Sequence, residues 1–585
     1  MIDSSSLLTG QAHACQVTND TGSNESLAFA KRCILSCQEH AICAVEMPPF
    51  RPTRILDVKK VSSASNEIRL VETTDLPASH PLSYIALSHC WGGKIDYKLL
   101  ESNLQDMKGQ INISSLARNF RDAISITRML GERYLWIDSL CIIQDSVSDW
   151  ETESSQMGQL YANSTCTISA TASKNSEGGC ILPKELFFND CTLRKQDKHS
   201  LVVRSWVHQD SSLDDLFPQK VDLAALNKRA WTFQEKILSR RVLNFCDGIL
   251  LFECNTHRAS EYHAEGVQHK VISTVQRDGT QNFGPRRIEH PAVERGRKYI
   301  TRKIKRKRAP GIRTRYHSST SVTYLNPNYS FAPGHVEVEQ SGSALLGFRG
   351  AYDMLTHVKR PVETTFQRLE IHRRWYELVG LYSARELTKQ KDKMMAILGL
   401  GYAIEMSTGL SFVAGLWEEA MCFNLLWIAL GDPKPRPVRD VPTWSWASVD
   451  QIIDEIICSA SIKKYESLVT HLDIKHINPF IEHNSLIHHA SLVLSGHLTP
   501  LDESSENFHP DIIILDDDIG GEIEHLPILS FINGLAEIEV HGIAVRETSA
   551  GNTIYERVGY FWTKNNFVTK DILDNVDQKR EFVLV

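Results

Sequence analysis

The segment RAWTFQE at residues 229–235 places an indole and a carboxylate four residues apart, at Trp231 and Glu235. On a helix this spacing puts both side chains on one face. A buried carboxylate can stabilise a positive charge that develops on a bound molecule. An indole beside it offers a stacking surface for a planar base. The same residues also suit a structural role, with Trp231 in the core and Glu235 in an ion pair. The candidate cations for that pair are Arg229, Lys236 and Arg240.

Polar residues and a pair of glycines follow a predicted apolar strand at residues 84–88. The strand ends at Ser88, His89 comes next, and the glycine pair begins at Gly92. Ser88 and His89 could contact a ribose or a phosphate, and backbone N–H groups at Gly92 could donate to an anion. A tight turn with Trp91 packed beneath it explains the same sequence equally well.

Asp138 ends a second predicted strand, within the sequence LWIDSLC at residues 135–141. An aspartate at a strand end can bind ribose hydroxyls, orient a histidine or cap the following helix. Cys141 lies three residues further on, and in a cysteine hydrolase it would act as a thiolate paired with His89. We expect Cys141 to pack in the core instead, because buried thiols of intracellular proteins mostly do so.

Taken together, these segments resemble the heterokaryon-incompatibility (HET) domain of fungi. YIALSHCWG, LWIDSLCIIQD and RAWTFQE, at residues 84–92, 135–145 and 229–235, match three blocks of that domain in order and rough spacing. Each block combines low-frequency residues such as Trp and Cys with fixed neighbours, which makes the combined signal specific. Later segments, including WYELV and PTWSWAS, extend the resemblance over most of residues 30–450.

The resemblance implies a chemistry for Glu235, because the HET family distantly resembles TIR domains. Enzymatic TIR domains cleave NAD at the nicotinamide glycosidic bond with one glutamate, which lies four residues after a tryptophan, as Glu235 lies after Trp231. On this resemblance Glu235 is the catalytic carboxylate of an NAD glycohydrolase, NAD is the substrate, and no cofactor is tightly bound. The implied nucleotide-binding residues are Ser88, His89, Gly92, Asp138 and Trp231.

The resemblance also implies a role in non-self recognition between fungal strains, in which the protein triggers programmed cell death. The partner would be the product of an incompatible allele or another regulatory protein, and the chain would form homo-oligomers. The alternative is a non-catalytic adaptor that recruits partners, with the sequence blocks serving only packing and turns. A glutamate facing a cleft lined by Ser88 and Asp138 favours catalysis, whereas a glutamate in solvent or in an ion pair favours the adaptor.

Composition is that of an ordinary globular protein. A chain of 585 residues with 42% apolar and 23% charged residues predicts two or three packed units. The net charge of −7 gives no overall positive charge that would attract nucleic acid or an anionic membrane. The N-terminus lacks a secretory signal, no apolar run is long enough to cross a bilayer, and the thirteen cysteines are expected to be thiols. These features predict a cytoplasmic protein without a membrane partner.

Strands that alternate with helical segments predict an α/β fold, with a TIR-like parallel sheet flanked by helices. A helical segment at 27–42 precedes the sheet, and a helix with Ser114 as its N-cap runs to Leu130. An additional helical region and a small β-rich C-terminal module follow the sheet. The predicted divisions are a disordered N-terminus at 1–22, a helix and hairpin at 23–79, the HET core at 80–255, a low-order basic insertion at 256–345, a helical extension at 346–450 and the β-rich module at 451–585.

The predicted insertion is strongly basic. Residues 286–315 carry thirteen Lys or Arg residues, and Lys303–Arg308 form the centre of this run. Such a segment is typical of a disordered linker, and also of nuclear-localisation or polyanion-binding sequences. Nuclear entry through Lys303–Arg308 is therefore the alternative to a purely cytoplasmic location.

Three cysteines and a histidine recur along the first predicted helix, at Cys33, Cys37, His40 and Cys43. These are the residue types that bind zinc, but their spacing fits no usual zinc-binding pair. On a continuous helix Cys33, Cys37 and His40 share one face, while Cys43 lies a turn further on. We therefore expect an ordinary packed helix and no metal site.

Overall fold

The fold is described from a computed structural model of the 585-residue chain. The described residues are 20–41, 43–44, 49–58, 67–77, 82–93, 97–184, 188–196, 199–206, 213–268, 352, 355–356, 361–430, 436, 441–455, 464–476, 490–500, 512–516, 523–532, 538–548, 554–563 and 579–585. The chain divides into two compact units. The first comprises Met1–Lys228 and Glu235–Lys270, and the second comprises Arg229–Gln234 and Val271–Val585.

The first unit contains a ten-stranded mixed sheet. Two further strands of this unit, the seventh and eighth in chain order, form a separate hairpin. The strands of this unit are β1 (Arg54–Asp57), β2 (Glu67–Glu72), β3 (Ile85–Ser88), β4 (Ile111–Asn112), β5 (Tyr134–Trp136), β6 (Cys166–Ser169), β7 (Phe188–Gln196), β8 (His199–Trp206), β9 (Arg241–Cys246), β10 (Ile249–Cys254), β11 (His257–Ser260) and β12 (His263–Gln268). The α-helices that begin before residue 240 are α1 (Asn24–Cys37), α2 (Leu104–Gly109), α3 (Arg118–Leu130), α4 (Asp138–Cys141), α5 (Val147–Asn163), α6 (Leu213–Phe217) and α7 (Thr232–Leu238). The division between the two units falls within α7, after Gln234.

Four parallel strands form the middle of the sheet. Its order is β12-β11-β10-β9-β6-β3-β5-β1-β2-β4, and the β9–β6, β6–β3 and β3–β5 pairs are parallel. In chain order these four strands run 2-1-3-4, because the chain crosses from β3 to β5 on one side and then to β6 on the other. Doubly wound sheets bind ligands at the carboxyl ends of their strands where the crossovers diverge. That position lies here between β3 and β6.

The predicted α/β class is confirmed, with helices packed against a sheet that contains parallel strands. Every residue of β3, β6 and β9 is buried, as expected for strands covered on both faces. The prediction of a parallel sheet was incomplete, because antiparallel strands extend both edges. The predicted N-terminal hairpin supplies β1 and β2, and a meander of β10, β11 and β12 continues from β9.

Helix α3 starts later than the sequence predicts. It begins at Arg118, and Ser114 lies in a preceding turn where its N–H donates to the Asn112 Oδ1 atom at 3.0 Å. The proposed N-cap at Ser114 was therefore wrong, because the Asn112 side chain organises a separate turn there. The C-terminal end is at Leu130 as predicted, and Gly131 closes the helix with a left-handed φ of 91°.

The second unit combines helices with antiparallel sheets. Its helices are α8 (Thr365–Ser383), α9 (Met395–Thr408) and α10 (Met421–Asn424), and its strands are β13 (Phe412–Val413), β14 (Leu416–Trp417), β15 (Trp427–Leu430), β16 (Ile452–Glu455), β17 (Lys464–Ser467), β18 (Thr470–His476), β19 (Ala490–Gly496), β20 (Thr499–Pro500), β21 (Ile512–Leu515), β22 (Glu524–Ile532), β23 (Ile538–Glu547), β24 (Ile554–Thr563) and β25 (Arg580–Leu584). The strands from β17 onward build a nine-stranded sheet. This is the small β-rich C-terminal module expected from the sequence.

The predicted basic insertion begins too early at residue 256. Residues 257–268 form β11 and β12, and both strands join the main sheet. The remaining part, 269–345, lies outside the described residues, as do residues 1–19 of the predicted disordered N-terminus. Within the described ranges, no helix is both long enough and apolar enough to cross a membrane.

Buried Arg54 joins β1 to the segment that follows Asp138. Its Nε atom donates to the Cys141 carbonyl oxygen at 2.7 Å, and its Nη2 atom donates to Asp149 at 2.5 and 2.6 Å. Its Nη2 atom also lies 3.5 Å from the buried carboxylate of Glu153. The arginine thus pairs with two acids of α5.

We predict that Arg54→Ala lowers the free energy of unfolding of the first unit by about 3–5 kcal/mol, because it leaves the buried carboxylate of Glu153 and the half-buried one of Asp149 without their cation. Native-state hydrogen exchange of peptides from β1, β5 and α5 measures the change locally. Arg69→Ala is the control, since this side chain is 50% exposed in its pair with Asp57 and should contribute less than about 1 kcal/mol. Equal effects of the two substitutions would contradict this role of Arg54.

Candidate functional site

Three polar residues lie side by side across the parallel strands. Ser88 is the register partner of Ser169, and Ser169 is the register partner of Asn244. Register partners on neighbouring strands project to the same face of a sheet. Ser88, Ser169 and Asn244 are all buried, and we call them the polar row. The polar row crosses the position between β3 and β6 where doubly wound sheets bind ligands.

Glu235 lies against this face of the sheet. The Ser88 Oγ atom donates a hydrogen bond of 2.5 Å to the Glu235 Oε2 atom. One turn later, Ser239 Oγ donates to the Glu235 carbonyl oxygen and lies 2.6 Å from Thr167 Oγ1 on β6. Glu235 is only 7% exposed. Ser88 and Glu235, which the sequence analysis assigned to one site, thus lie in contact. The Glu235 carboxylate does not face solvent.

Two of the cations considered as partners of Glu235 contact other groups. Lys236 Nζ lies 3.4 Å from Glu253 Oε1 and 3.7 Å from Asp222 Oδ1. Arg240 Nε donates to the Ala162 carbonyl oxygen at 3.1 Å. These contacts give both side chains structural roles in the first unit.

A hydrogen-bonded network extends from the polar row into the interior. Thr171 Oγ1 lies 2.8 Å from Ser169 Oγ and donates to Asn244 Oδ1 at 3.3 Å. Asn244 Nδ2 donates to Glu253 Oε1 at 3.0 Å, and Glu253 carries the ion pair with Lys236. All five residues are buried. Sequence reasoning missed Ser169, Thr171, Asn244 and Glu253, although polar residues within mainly apolar strands, as in RVLNFC and ILLFEC, were an available signal.

Asp138 holds the loop that follows β3. Its Oδ2 atom accepts from Trp91 Nε1 at 2.8 Å, and its Oδ1 atom accepts from the Ser139 N–H at 2.7 Å. His89 Nδ1 lies 3.7 Å from Asp138 Oδ1, and the imidazole makes an edge contact with Phe120 at 5.0 Å. Asp138 is the first residue of α4, whose N-cap is Ile137 without a capping hydrogen bond from a side chain, so the predicted cap at Asp138 was wrong. Its carboxylate lies near His89, and its role in orienting that histidine stays a prediction. Its predicted contact with ribose stays a prediction.

Gly92 has a structural reason to be glycine. Its φ is 69°, and a Cβ atom at this position would lie 2.0 Å from the Asn175 Cβ atom. Just before it, the Trp91 carbonyl oxygen accepts from Ser176 Oγ at 2.9 Å. The backbone therefore requires glycine here, whereas residues 94–96 lie outside the described residues, so the tight turn and anion binding by Gly92 both stay predictions.

Trp231 belongs to Arg229–Gln234, the part of the chain assigned to the second unit. It is half-buried, and its indole is hydrogen-bonded to Asp392, a carboxyl whose pKa is raised by burial. Trp231 therefore has an identified structural contact there, and its predicted stacking on a base stays a prediction.

Cys141 does not suit the cysteine-hydrolase alternative. Burial raises the pKa of its thiol to about 12, so the thiol is protonated at neutral pH. It packs in the core as expected.

The arrangement around Glu235 offers a specific chemistry. One buried carboxylate and the hydroxyl groups of Ser88 and Ser169 lie at the carboxyl ends of two parallel strands. A carboxylate in such low-dielectric surroundings can stabilise a developing sugar cation or accept hydrogen bonds from ribose hydroxyls. The hydrogen bond from Ser88 fixes the orientation of that carboxylate.

We predict that Ser88→Ala destabilises the first unit by about 1–3 kcal/mol, because it removes a donor from a buried carboxylate. Ser83→Ala is a matched control, since Ser83 Oγ also donates to a glutamate, Glu132 at 2.8 Å, but at an exposed position. We expect that control to change stability by no more than about 0.5 kcal/mol. Hydrogen exchange of peptides covering residues 235–246 measures the change in the free energy of unfolding for both variants. A loss no larger for Ser88→Ala than for Ser83→Ala would show that the buried bond contributes nothing.

Comparison with known proteins bears on the same residues. The sequence model of the family described as Heterokaryon incompatibility protein (HET) matches residues 84–235. The match begins directly before β3, includes β5 and β6, and ends at Glu235. No curated protein and no solved structure matches the chain. The matched range contains Ser88, Ser169 and Glu235 of the site described above. Residues 84–235 of this chain are therefore a HET domain, the domain of heterokaryon incompatibility proteins.

Proposed function

We propose that the protein is an effector of heterokaryon incompatibility that cleaves NAD at the bond between nicotinamide and ribose. Glu235 is the catalytic carboxylate. The observation that carries this proposal is the burial of Glu235 and its 2.5 Å hydrogen bond to Ser88 at the carboxyl end of β3. Sheets with crossovers of this kind bind nucleotides at that position.

The chemistry follows from the charge that develops on the ribose. When the bond between the ribose C1′ atom and the pyridinium nitrogen breaks, its electron pair goes to the nitrogen, and nicotinamide leaves as a neutral molecule. The positive charge on the ribose is stabilised by the Glu235 carboxylate. Water then adds to C1′ and releases a proton, which gives ADP-ribose. Ser88 keeps the carboxylate oriented throughout.

Roles for the remaining predicted residues complete this proposal. Asp138 and His89 contact the ribose or the phosphates, together with backbone N–H groups near Gly92. NAD is a substrate here and not a tightly bound cofactor. The protein acts in the cytoplasm, and the depletion of NAD there kills the fungal cell.

Activation requires a change at the site. Glu235 is 7% exposed, so a dinucleotide reaches it only after the surrounding segments open. Binding of the product of an incompatible allele, or assembly of several copies of the chain, supplies the free energy for that opening. The site is thereby silent until non-self is recognised.

A non-catalytic adaptor is the alternative function, and the same burial favours it. Glu235, Thr171, Asn244 and Glu253 all have hydrogen-bond partners within the first unit, as expected of a polar interior that serves only stability. In that case the domain acts through surfaces that recruit other proteins.

We predict that induced expression of the wild-type protein in a fungal host causes loss of cellular NAD followed by death. Glu235→Gln keeps the shape of the side chain and removes its charge, and should slow NAD loss by about 100-fold or more. The measurement is total NAD against time, with viability and protein level followed in the same cultures.

Glu153→Gln is the matched control for this experiment. Glu153 is also a buried glutamate of the first unit, and burial raises its pKa, but it pairs with Arg54 away from the polar row. The control should kill as the wild type does. Death without NAD loss in both the wild type and Glu235→Gln would reject NAD cleavage and leave the adaptor.

A further inference from the structure

Four side chains that can bind metals converge at the C-terminal end of α1. They are Cys37, His40, Cys43 and Cys254, which we call the thiol–imidazole cluster. The first three come from one short segment, whereas Cys254 ends β10 and lies more than two hundred residues away in the sequence. The three cysteines are buried and His40 is half-buried. Cys33, the other cysteine of the sequence pattern, is outside the cluster.

The spacing of the ligand atoms suits a tetrahedral ion. One ligand atom from each of the four side chains lies within 4.8 Å of all the others. The Nδ1 atom of His40 is 3.5 Å from the Sγ atom of Cys254. Zinc bound to sulfur at about 2.3 Å and to nitrogen at about 2.0–2.1 Å places its ligand atoms about 3.5–3.8 Å apart. Small side-chain movements therefore bring all four atoms to bonding distance.

Local structure explains why the sequence pattern was misjudged. Helix α1 ends at Cys37 instead of continuing to residue 42. The His40 N–H then donates to the Cys37 carbonyl oxygen at 3.2 Å, and the Ala44 N–H donates to the His40 carbonyl oxygen at 2.8 Å. These turns bring His40 and Cys43 back toward Cys37. The fourth ligand is the last residue of β10, which no local spacing could indicate.

The surroundings of the cluster suit thiolates. Backbone N–H groups of Thr256 and His257 donate to Cys254 Sγ at 3.4 and 3.2 Å, and Thr256 Oγ1 lies 3.4 Å from Cys43 Sγ. Hydrogen bonds of this kind orient metal-bound sulfur atoms. The guanidinium groups of Arg240 and Arg241 interact electrostatically with Cys37. They offset the net negative charge of three thiolates around one divalent cation.

We propose that the thiol–imidazole cluster binds one zinc ion in a structural site. Three thiolates and one imidazole fill a tetrahedral coordination sphere and leave no position for a catalytic water. The ion joins the end of α1 to the end of β10. It thereby fastens α1 to the antiparallel strands that follow β9. Binding releases the thiol protons to solvent. This role does not depend on whether the HET domain cleaves NAD.

The test uses the full-length protein prepared under reducing conditions with zinc in the growth medium. We expect elemental analysis to find one zinc ion per chain. X-ray absorption at the zinc edge should show three sulfur ligands at about 2.3 Å and one nitrogen ligand at about 2.0–2.1 Å. Removal of the metal with a strong chelator should lower Tm, and added zinc should restore it. Replacement by cobalt should give the charge-transfer absorption of a tetrahedral thiolate site.

Two cysteine variants separate this site from other thiols. Cys254→Ser should lose the zinc, whereas Cys33→Ser should keep it, because Cys33 is a buried cysteine of the same helix that lies outside the cluster. The spectroscopic measurements on the wild type stand even if Cys254→Ser fails to fold. Wild-type protein that contains no zinc, contains a disulfide among these cysteines, or binds zinc through oxygen and nitrogen alone would overturn the proposal. Zinc retained at full occupancy by folded Cys254→Ser would overturn it as well.

Discussion

The hydrogen bond from Ser88 to the buried carboxylate of Glu235 is the interaction on which the polar interior of the HET domain depends. A charge removed from water is costly unless hydrogen bonds or cations compensate it. Here the compensation comes from Ser88, the last residue of β3, whose hydroxyl donates directly to the carboxylate. Because Ser88 is fixed at the end of β3, the hydrogen bond fixes the position of the Glu235 carboxylate within the first unit.

Sheet topology determines which polar groups can share this position. The crossovers on opposite sides of β3 bring Ser88 of β3 next to Ser169 of β6, and the following strand adds Asn244. Each of these residues is buried, and a buried polar side chain weakens the core unless it is hydrogen-bonded. The network that ends at Glu253 and Lys236 provides that satisfaction. Buried polar residues destabilise a core unless they are hydrogen-bonded. Their presence where doubly wound sheets bind ligands is the physical argument for a functional site.

The sequence predicts the local features well and the long-range ones poorly. Alternation of strands and helices was sufficient to predict the α/β class, and Ser88 ends β3 as predicted, whereas β5 ends at Trp136 and Asp138 begins α4. Ser169 was missed because its importance arises only from its register with Ser88, which lies 81 residues earlier. Cys254 was missed for the same reason, since the end of a strand far along the chain completes the cluster at Cys37. Hydrophobic periodicity carries no information about either pairing.

The most direct test of the account is the release of nicotinamide from NAD by protein purified from fungal cells that are dying after its induction. Protein taken from such cells has already been activated. The account predicts that the wild type forms nicotinamide and ADP-ribose in equal amounts, and that Glu235→Gln isolated in the same way forms neither. Wild-type protein from dying cells that leaves NAD intact would contradict the assignment of Glu235 as a catalytic carboxylate.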